Sequence, residues 1–424
     1  MLRKSTIARA VTLAFSAGAL SLGLHSTVLL LAATHFLVDG YGNILAPLLP
    51  LLIPQLNLTL AGAGTLQMCF GLAASVTQLG FGHLADRWRP RLLLLAGPVA
   101  GVTMLPLIGL GENAWMLAGL LVAGGLGGAA FHPPAAALVH RYAGRHRGLA
   151  MSFHITSGTL GQAVAPLLFA PFVQVFGLKA TPWLIVPALV PVVLLLRKLP
   201  SFERLHDHDE AGGFRALRPY ATPLTLLYFI VVLRTLTATS FSTFVPIMLT
   251  RRGLSIAEAG TIASIYLVAV GAGGFFGGPI ADRFGARRVI MLSLVAAVPF
   301  LAVAPLLSGW HFVVVLAIGG FLLQSTLPVN VTFGQMIAPI SAATVSSLMM
   351  GFAWGTGSLV VPVVGLVADR IGIERALVIM SLMPVVAAGL AIPLPSARTH
   401  VIARASEITT PESPGTDVAD RREN

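Results

Sequence analysis

Runs of about twenty apolar residues, separated by short polar clusters, recur twelve times along this chain, at 26–54, 62–84, 92–110, 115–139, 149–176, 182–199, 221–249, 258–281, 289–307, 311–338, 345–368 and 375–394. Crossing about 30 Å of hydrocarbon takes roughly 20 such residues in a helix. Lipid offers the backbone no hydrogen-bond partners, so only helices and closed barrels can cross it. A barrel strand alternates apolar and polar positions over about ten residues, and segments such as "ALVPVVLLL" (188–196) do not alternate. The chain is therefore predicted to be an all-α polytopic membrane protein with twelve transmembrane helices. Composition agrees, since a water-soluble domain of this size does not carry 56% hydrophobic and only 10% charged residues,.

The net charge of +11 reports topology rather than nucleic-acid binding, because no aromatic-interleaved basic domain occurs,. If the amino terminus is cytoplasmic, the inner loops 85–91, 140–148, 197–220 and 282–288 carry 14 of the 27 Lys and Arg and the two tails seven. The outside then holds five, namely Lys179, Arg251, Arg252, Arg370 and Arg375, and Arg234 lies within a span. This asymmetry obeys the positive-inside rule and predicts an inner-membrane protein with both termini cytoplasmic. Residues 1–25, with Arg3, Lys4 and Arg9 ahead of an apolar segment, mimic a signal peptide,. Cleavage there would put the new terminus outside, against the loop charges, so the segment reads as a cytoplasmic lead-in. The polar tail 395–424 reads as disordered. The single cysteine, Cys69, cannot form an internal disulfide,.

A repeat divides the chain. "GHLADRWRPR" (82–91) returns as "GPIADRFGAR" (278–287) at an offset of 196 residues, which also carries Pro50 onto Pro246. The expected organisation is a six-helix bundle over 26–199, a cytoplasmic linker over 200–220 and a second six-helix bundle over 221–394. Repeats of this kind are typical of secondary transporters, in which two bundles rock about a site near the midplane.

In these motifs the chain resembles the major facilitator superfamily, whose loop signature between the second and third helices is G-x-L-A-D-R-x-G-R-R. Gly82, Leu84, Ala85, Asp86 and Arg87 match it, Arg89 stands where a glycine is usual, and Arg91 supplies the final charge. The second copy matches with Gly278, Ala281, Asp282, Arg283, Gly285, Arg287 and Arg288. Within the superfamily the chain is similar to the fosmidomycin-resistance group of efflux proteins, in "HFLVDGYGNILAPLLPLL" (35–52), "GGAAFHPPAAALV" (127–139), "RGLAMSFHITSGTLGQAVAPLL" (147–168) and "LRTLTATSFSTFVPIML" (233–249). The resemblance implies a twelve-helix fold, and a breakable latch in which Asp86 holds the second helix against the start of the eleventh near Thr344 to Ser347. A glycine at 82 and at 278 allows close helix approach there, and a carboxylate can take arginine or free helix N–H groups as partners. "SGTLGQAVAP" (157–166) resembles a degenerate antiporter motif, with Gly158, Gly161 and Pro166 corresponding and Ala165 replacing the usual glycine. A third copy, "GLVADRIG" (365–372), falls on the outer face and offers a weaker candidate for an external latch.

An ionisable side chain deep in a span costs at least about 2.5–3.5 kcal/mol to insert, which makes each one a functional candidate. His35, Asp39, His132, His154 and Arg234 qualify, with Gln162 as a polar companion. His35 and Asp39 share a helix face at i, i+4. The 196-residue offset maps Asp39 onto Thr235, beside Arg234, so the expectation is proton coupling through Asp39, with Arg234 as its counter-ion or as the anchor for an anionic substrate. His132 precedes Pro133 and Pro134, where it could line the cavity or bond a carbonyl freed by the prolines.

No G-x-x-x-x-G-K-[ST] loop, dinucleotide fingerprint or metal-ligand spacing occurs in the sequence, so no cofactor is expected beyond a proton gradient, and no enzyme activity,. The expected protein is a monomeric, proton-coupled antiporter exporting small amphipathic or anionic compounds. An importer of a metabolite and a sensor on a transporter scaffold are the competing readings. The sensor has less need of Asp39 and Arg234.

Overall fold

The computed structural model describes residues 24–87, 89–144, 147–200, 217–339 and 342–395, apart from the side chains at 86, 87, 147, 148, 342 and 343. The amino-terminal lead-in up to residue 23, the linker over 201–216, the tail from 396 and the side chains of Asp86 and Arg87 lie outside the described residues.

Among the described residues twelve helical segments are long and apolar enough to cross a membrane: Ser26–Leu56, Leu60–Ala85, Pro90–Leu110, Ala114–Tyr142, Leu149–Phe176, Leu178–Lys198, Arg218–Arg251, Ile256–Phe284, Ala286–Leu306, Gly309–Ile337, Thr344–Ile371 and Ile373–Leu390. They are numbered below as spans 1 to 12. Each falls on one of the twelve runs read from hydropathy, because backbone groups in lipid must bond within their own segment.

Several spans are interrupted at depth. Span 1 consists of helices Ser26–Gly42 and Leu45–Leu56, and Asn43 bridges the break, its N–H reaching the Asp39 and Gly40 carbonyls. Span 10 breaks at Ser325, directly after Gln324. Span 11 carries a π turn over Ser347–Phe352. Such breaks at membrane depth are tolerated only where protein covers them, and they cluster at functional positions.

The repeat has a packing counterpart. A Cβ at Gly161 of span 5 would run into the backbone carbonyl of Phe36 in span 1, and one at Gly357 of span 11 would lie 3.0 Å from the carbonyl of Val232 in span 7. Both members of this pair are related by the same 196-residue offset. Close contacts of this kind need a residue without a side chain, because the two backbones touch.

The two halves meet unevenly. At the end that carries Leu60 and Asp369, one apolar core runs through both halves, joining Leu48, Leu49, Leu66 and Phe169 to Phe241, Phe244, Ile247 and Val361. The opposite end of the N-terminal half has a separate core of its own, built from Leu24, Val28, Leu31, Leu94, Phe131, Leu138 and Leu195. Spans 2 and 11 supply the contact line. A methyl group on Gly64 would lie 2.7 Å from the Val361 carbonyl oxygen, and one on Gly71 2.5 Å from the Ser358 hydroxyl.

A carboxylate fastens this closed end. Helix N-termini leave their first N–H groups unpaired. At the start of span 2, Thr59 accepts from the Gly62 N–H at 3.0 Å, while the N–H groups of Leu60 and Ala61 donate to Asp369 of span 11 at 2.9 and 3.0 Å. The third sequence motif, read as the weaker latch candidate, thus provides a bond between the halves.

Candidate functional site

Three spans of the N-terminal half bring the intramembrane polar groups together. His35 and Asp39 lie one turn apart on span 1, and their side chains approach to 3.5 Å between Nε2 and Oδ2. From span 4, His132 places Nε2 3.4 Å from Oδ1 of Asp39. Gln162 of span 5 donates from Nε2 to Oδ2 at 2.9 Å. Asp39 is therefore approached by two imidazoles and an amide, each from a different element or turn.

His154 enters the same group. Its ring centroid is 4.3 Å from that of His35, and its backbone carbonyl lies 2.8 Å from His35 Nδ1. A carbonyl oxygen only accepts, so His35 Nδ1 carries the proton and donates, and Nε2 is the nitrogen turned toward Asp39. The His154 side chain is 3% exposed and its Nδ1 has no partner. Gly158 forms the wall of the cluster: a Cβ there would fall 2.5 Å from His35 Nε2 and 2.7 Å from Asp39 Oδ2. Neighbouring Asn43 donates to the Gln162 carbonyl at 2.9 Å, tying the break in span 1 to span 5.

His132 lies within a helix that continues through Pro133 and Pro134, Ala114–Tyr142. Of the two alternatives open to it, bonding a carbonyl freed by the prolines or joining the polar group, its ion-pair contact is with Asp39.

Arg234 corrects one expectation. It is buried at 2% exposure in span 7, and it donates from Nη1 to Gln324 Oε1 of span 10 at 2.5 Å and from Nη2 to Thr235 at 3.1 Å. Among the described residues it has no carboxylate partner, and Asp39 is paired instead within its own half. The offset puts Thr235, not Arg234, at the position equivalent to Asp39, and consecutive residues on a helix point about 100° apart, so Arg234 is turned toward span 10. Among the described residues its Nε has no hydrogen-bond partner. Between the halves, Asn43, Pro47 and Pro166 face Ser242, Pro246 and Tyr266 across a small cavity.

The loop residues are less engaged than expected. A Cβ on Gly82 would meet Pro133 of its own half at an ordinary 3.8 Å, and Gly278 has open space around it. Asp282 and Arg283 are exposed and make no ion pair with any described residue, Arg287 makes none either, and Arg91 reaches the Leu199 carbonyl at 3.5 Å. Close helix approach occurs instead along spans 2 and 11, where Gly64, Gly71 and Gly365 lie. Sequence reasoning missed Gln324 and Asn43, both uncharged, whose roles depend on what faces them. It underrated Asp369, although that residue stands in a visible copy of the loop motif.

Comparison with known proteins places these features. The family model of the Major Facilitator Superfamily matches residues 28–227 and 227–339. The chain is 29% identical over 370 residues to the fosmidomycin resistance protein of Escherichia coli (strain K12), covering 84% of this chain and 89% of that one. It is also 29% identical over 385 residues to an uncharacterized MFS-type transporter, YfnC, of Bacillus subtilis (strain 168), covering 87% and 92%. Among solved structures, a bacterial homolog of the human lysosomal transporter Spinster, inward-facing and unoccupied, superposes with a TM-score of 0.72 at 17% identity over 92% of this chain and 98% of that one. The nucleoside transporter NupG gives 0.72 at 15% identity, covering 87% and 99%. Twelve membrane spans, a repeat carried into glycine contacts and a family match along most of the described chain lead to one conclusion: this multi-pass membrane protein is a transporter that belongs to the major facilitator superfamily.

Proposed function

We propose that the protein is a proton-coupled antiporter of the inner membrane, with both termini cytoplasmic, that exports small anionic or amphipathic compounds as a monomer. One observation carries the coupling. Asp39 lies inside a membrane span with two imidazoles and an amide around it and, among the described residues, no lysine or arginine, so its charge there is balanced only when a proton is taken up by the group,. His35 and His132 are positioned to share that proton, with Gln162 orienting the carboxylate and His154 holding His35.

Arg234 supports the anionic substrate. A guanidinium buried without a carboxylate is poised to receive one from a ligand, or a phosphonate, through its planar donor fork,. The names of the relatives, fosmidomycin resistance and, for one of Serratia proteamaculans at 27% identity over 280 residues, multidrug resistance, support export and make fosmidomycin the first compound to test. Alternation follows from the two ends. Asp369 and the glycine line of spans 2 and 11 hold the outer end shut, while the loop groups Asp86, Arg87, Arg91, Asp282, Arg283 and Arg287 serve as the cytoplasmic latch in the other state,.

The test is substrate-dependent proton movement in inverted vesicles containing the protein. In vesicles with an acidified lumen, drug addition is expected to alkalinise the lumen as protons leave in exchange for the drug, and Asp39→Asn to abolish the signal while inserting and folding normally. Wild-type transport by Asp39→Asn would sink the coupling assignment.

A further inference from the structure

Two of the three contacts to Asp39, those from the imidazoles, are longer than hydrogen bonds. N–H···O contacts cluster at about 2.7–3.2 Å, whereas His35 Nε2 and His132 Nε2 stand 3.5 and 3.4 Å from the two Asp39 oxygens. Donor atoms bound tetrahedrally to one metal ion at about 2.0–2.2 Å stand roughly 3.3–3.6 Å apart. The two contacts are made to different oxygens of Asp39, and with one donor atom from each side chain the set lies within 4.8 Å, so closing on one ion takes a small side-chain adjustment. We propose that His35, Asp39 and His132 form a binding site for one divalent transition-metal ion of the zinc class, inside the N-terminal bundle.

The chemistry of the donor set fits. Two imidazole nitrogens and one carboxylate oxygen are a known zinc donor set, one that other divalent transition metals share, and three protein ligands leave a fourth position for water. The surroundings are those of a metal site as well. A ligating histidine usually donates its other ring N–H to a carbonyl or carboxylate, which points the lone pair at the ion. His35 does so, through Nδ1 to the His154 carbonyl. Gln162 orients the carboxylate in the same way. Gly158 packs so closely on His35 and Asp39 that any side chain there would push the two donors apart. The His132 side chain is 25% exposed. A further, independent observation is the orphaned Nδ1 of buried His154, on a ring 4.3 Å from His35, which offers a fourth donor after rotation. The sequence gives no hint of this site, since its ligands come from spans 1 and 4 and follow no metal-binding spacing.

The ion would bridge spans 1 and 4 and fill the position that the transport reading gives to a proton, so zinc is expected to inhibit transport. Binding is measured without transport. Full-length protein free of any polyhistidine tag is stripped with a chelator, equilibrated with Zn2+, separated from free ion and analysed for metal. The expected result is one zinc per chain, with affinity lowered at least about tenfold in His35→Gln and in His132→Gln and unchanged in His311→Ala at an exposed position,. Co2+ in place of zinc is expected to give the intense visible bands of a tetrahedral site in the wild type and not in those two variants. The proposal is overturned if the wild type retains no more zinc than an Asp39→Asn, His132→Gln double variant, or if His35→Gln and His132→Gln bind as the wild type does. Because wild-type stoichiometry alone can fail it, variants that misfold do not protect it. A chain that binds zinc but moves no protons overturns only the transport reading.

Discussion

Gly158 leaves no room for a methyl group, since its Cβ would lie 2.5 Å from His35 Nε2. Gly158→Ala is expected to push His35 and Asp39 apart and to reduce transport at least about tenfold while leaving insertion intact, as packing defects at a site cost far more in function than in fold. Initial rates in vesicles with matched protein content check it. Arg234 gives a second prediction at this scale. Arg234→Lys keeps the charge but loses the fork that reaches Gln324 and Thr235 together, so the KM for an anionic substrate is expected to rise more than that for a neutral one. Equal change for both would remove Arg234 from substrate recognition. The pairing of His35 with Asp39 was legible in the sequence, because i, i+4 neighbours share a helix face. That His132 of span 4 and His154 and Gln162 of span 5 converge on this pair was not, since the rotation of those two spans against span 1 is fixed by packing. The Arg234 partner was misread for a related reason. The repeat offset locates a helix position, and the neighbouring side chain points about 100° away.

At the scale of the element, the bond between spans 2 and 11 is the informative one. Asp369 satisfies two N–H groups that the start of span 2 leaves open. Loss of a helix cap costs about 0.5–2 kcal/mol, and here the loss falls only on the closed-end state, so Asp369→Ala is expected to shift the conformational balance about 2- to 30-fold toward opening that end. A cysteine at Ala63, which is buried at this end, would report the shift as faster labelling by a thiol reagent. An unchanged labelling rate would show that the glycine contacts alone hold the end shut. Widening those contacts gives a second test. Gly64→Val is expected to raise the same labelling, because its side chain would collide with the Val361 carbonyl. Hydropathy found every span but none of the breaks at Asn43, Ser325 and Ser347–Phe352, since a break buried in protein leaves the apolar sum unchanged.

For the whole molecule, the place where the apolar core crosses between the halves decides the state. One core spans both halves at the Asp369 end, and a separate one fills the other end of the N-terminal half. With the loop arginines placed in the cytoplasm, this is an arrangement closed outside. Sidedness has its own test: in a chain with Cys69→Ser, a membrane-impermeant thiol reagent added to intact cells is expected to label Lys179→Cys and not Arg288→Cys, both exposed positions,. The reverse pattern would invert the topology. What the sequence determined by itself was additive along the chain, twelve spans from summed hydropathy; the repeated motif and the counted charges add, in the same additive way, an expected division into halves and an expected sidedness. What only the tertiary structure decided was relational: the three groups around Asp39, the separation of Arg234 from it, and the end at which the halves close. Those depend on which face of one helix meets which face of another, and that is set by glycine contacts and helix breaks distributed over spans far apart in the chain.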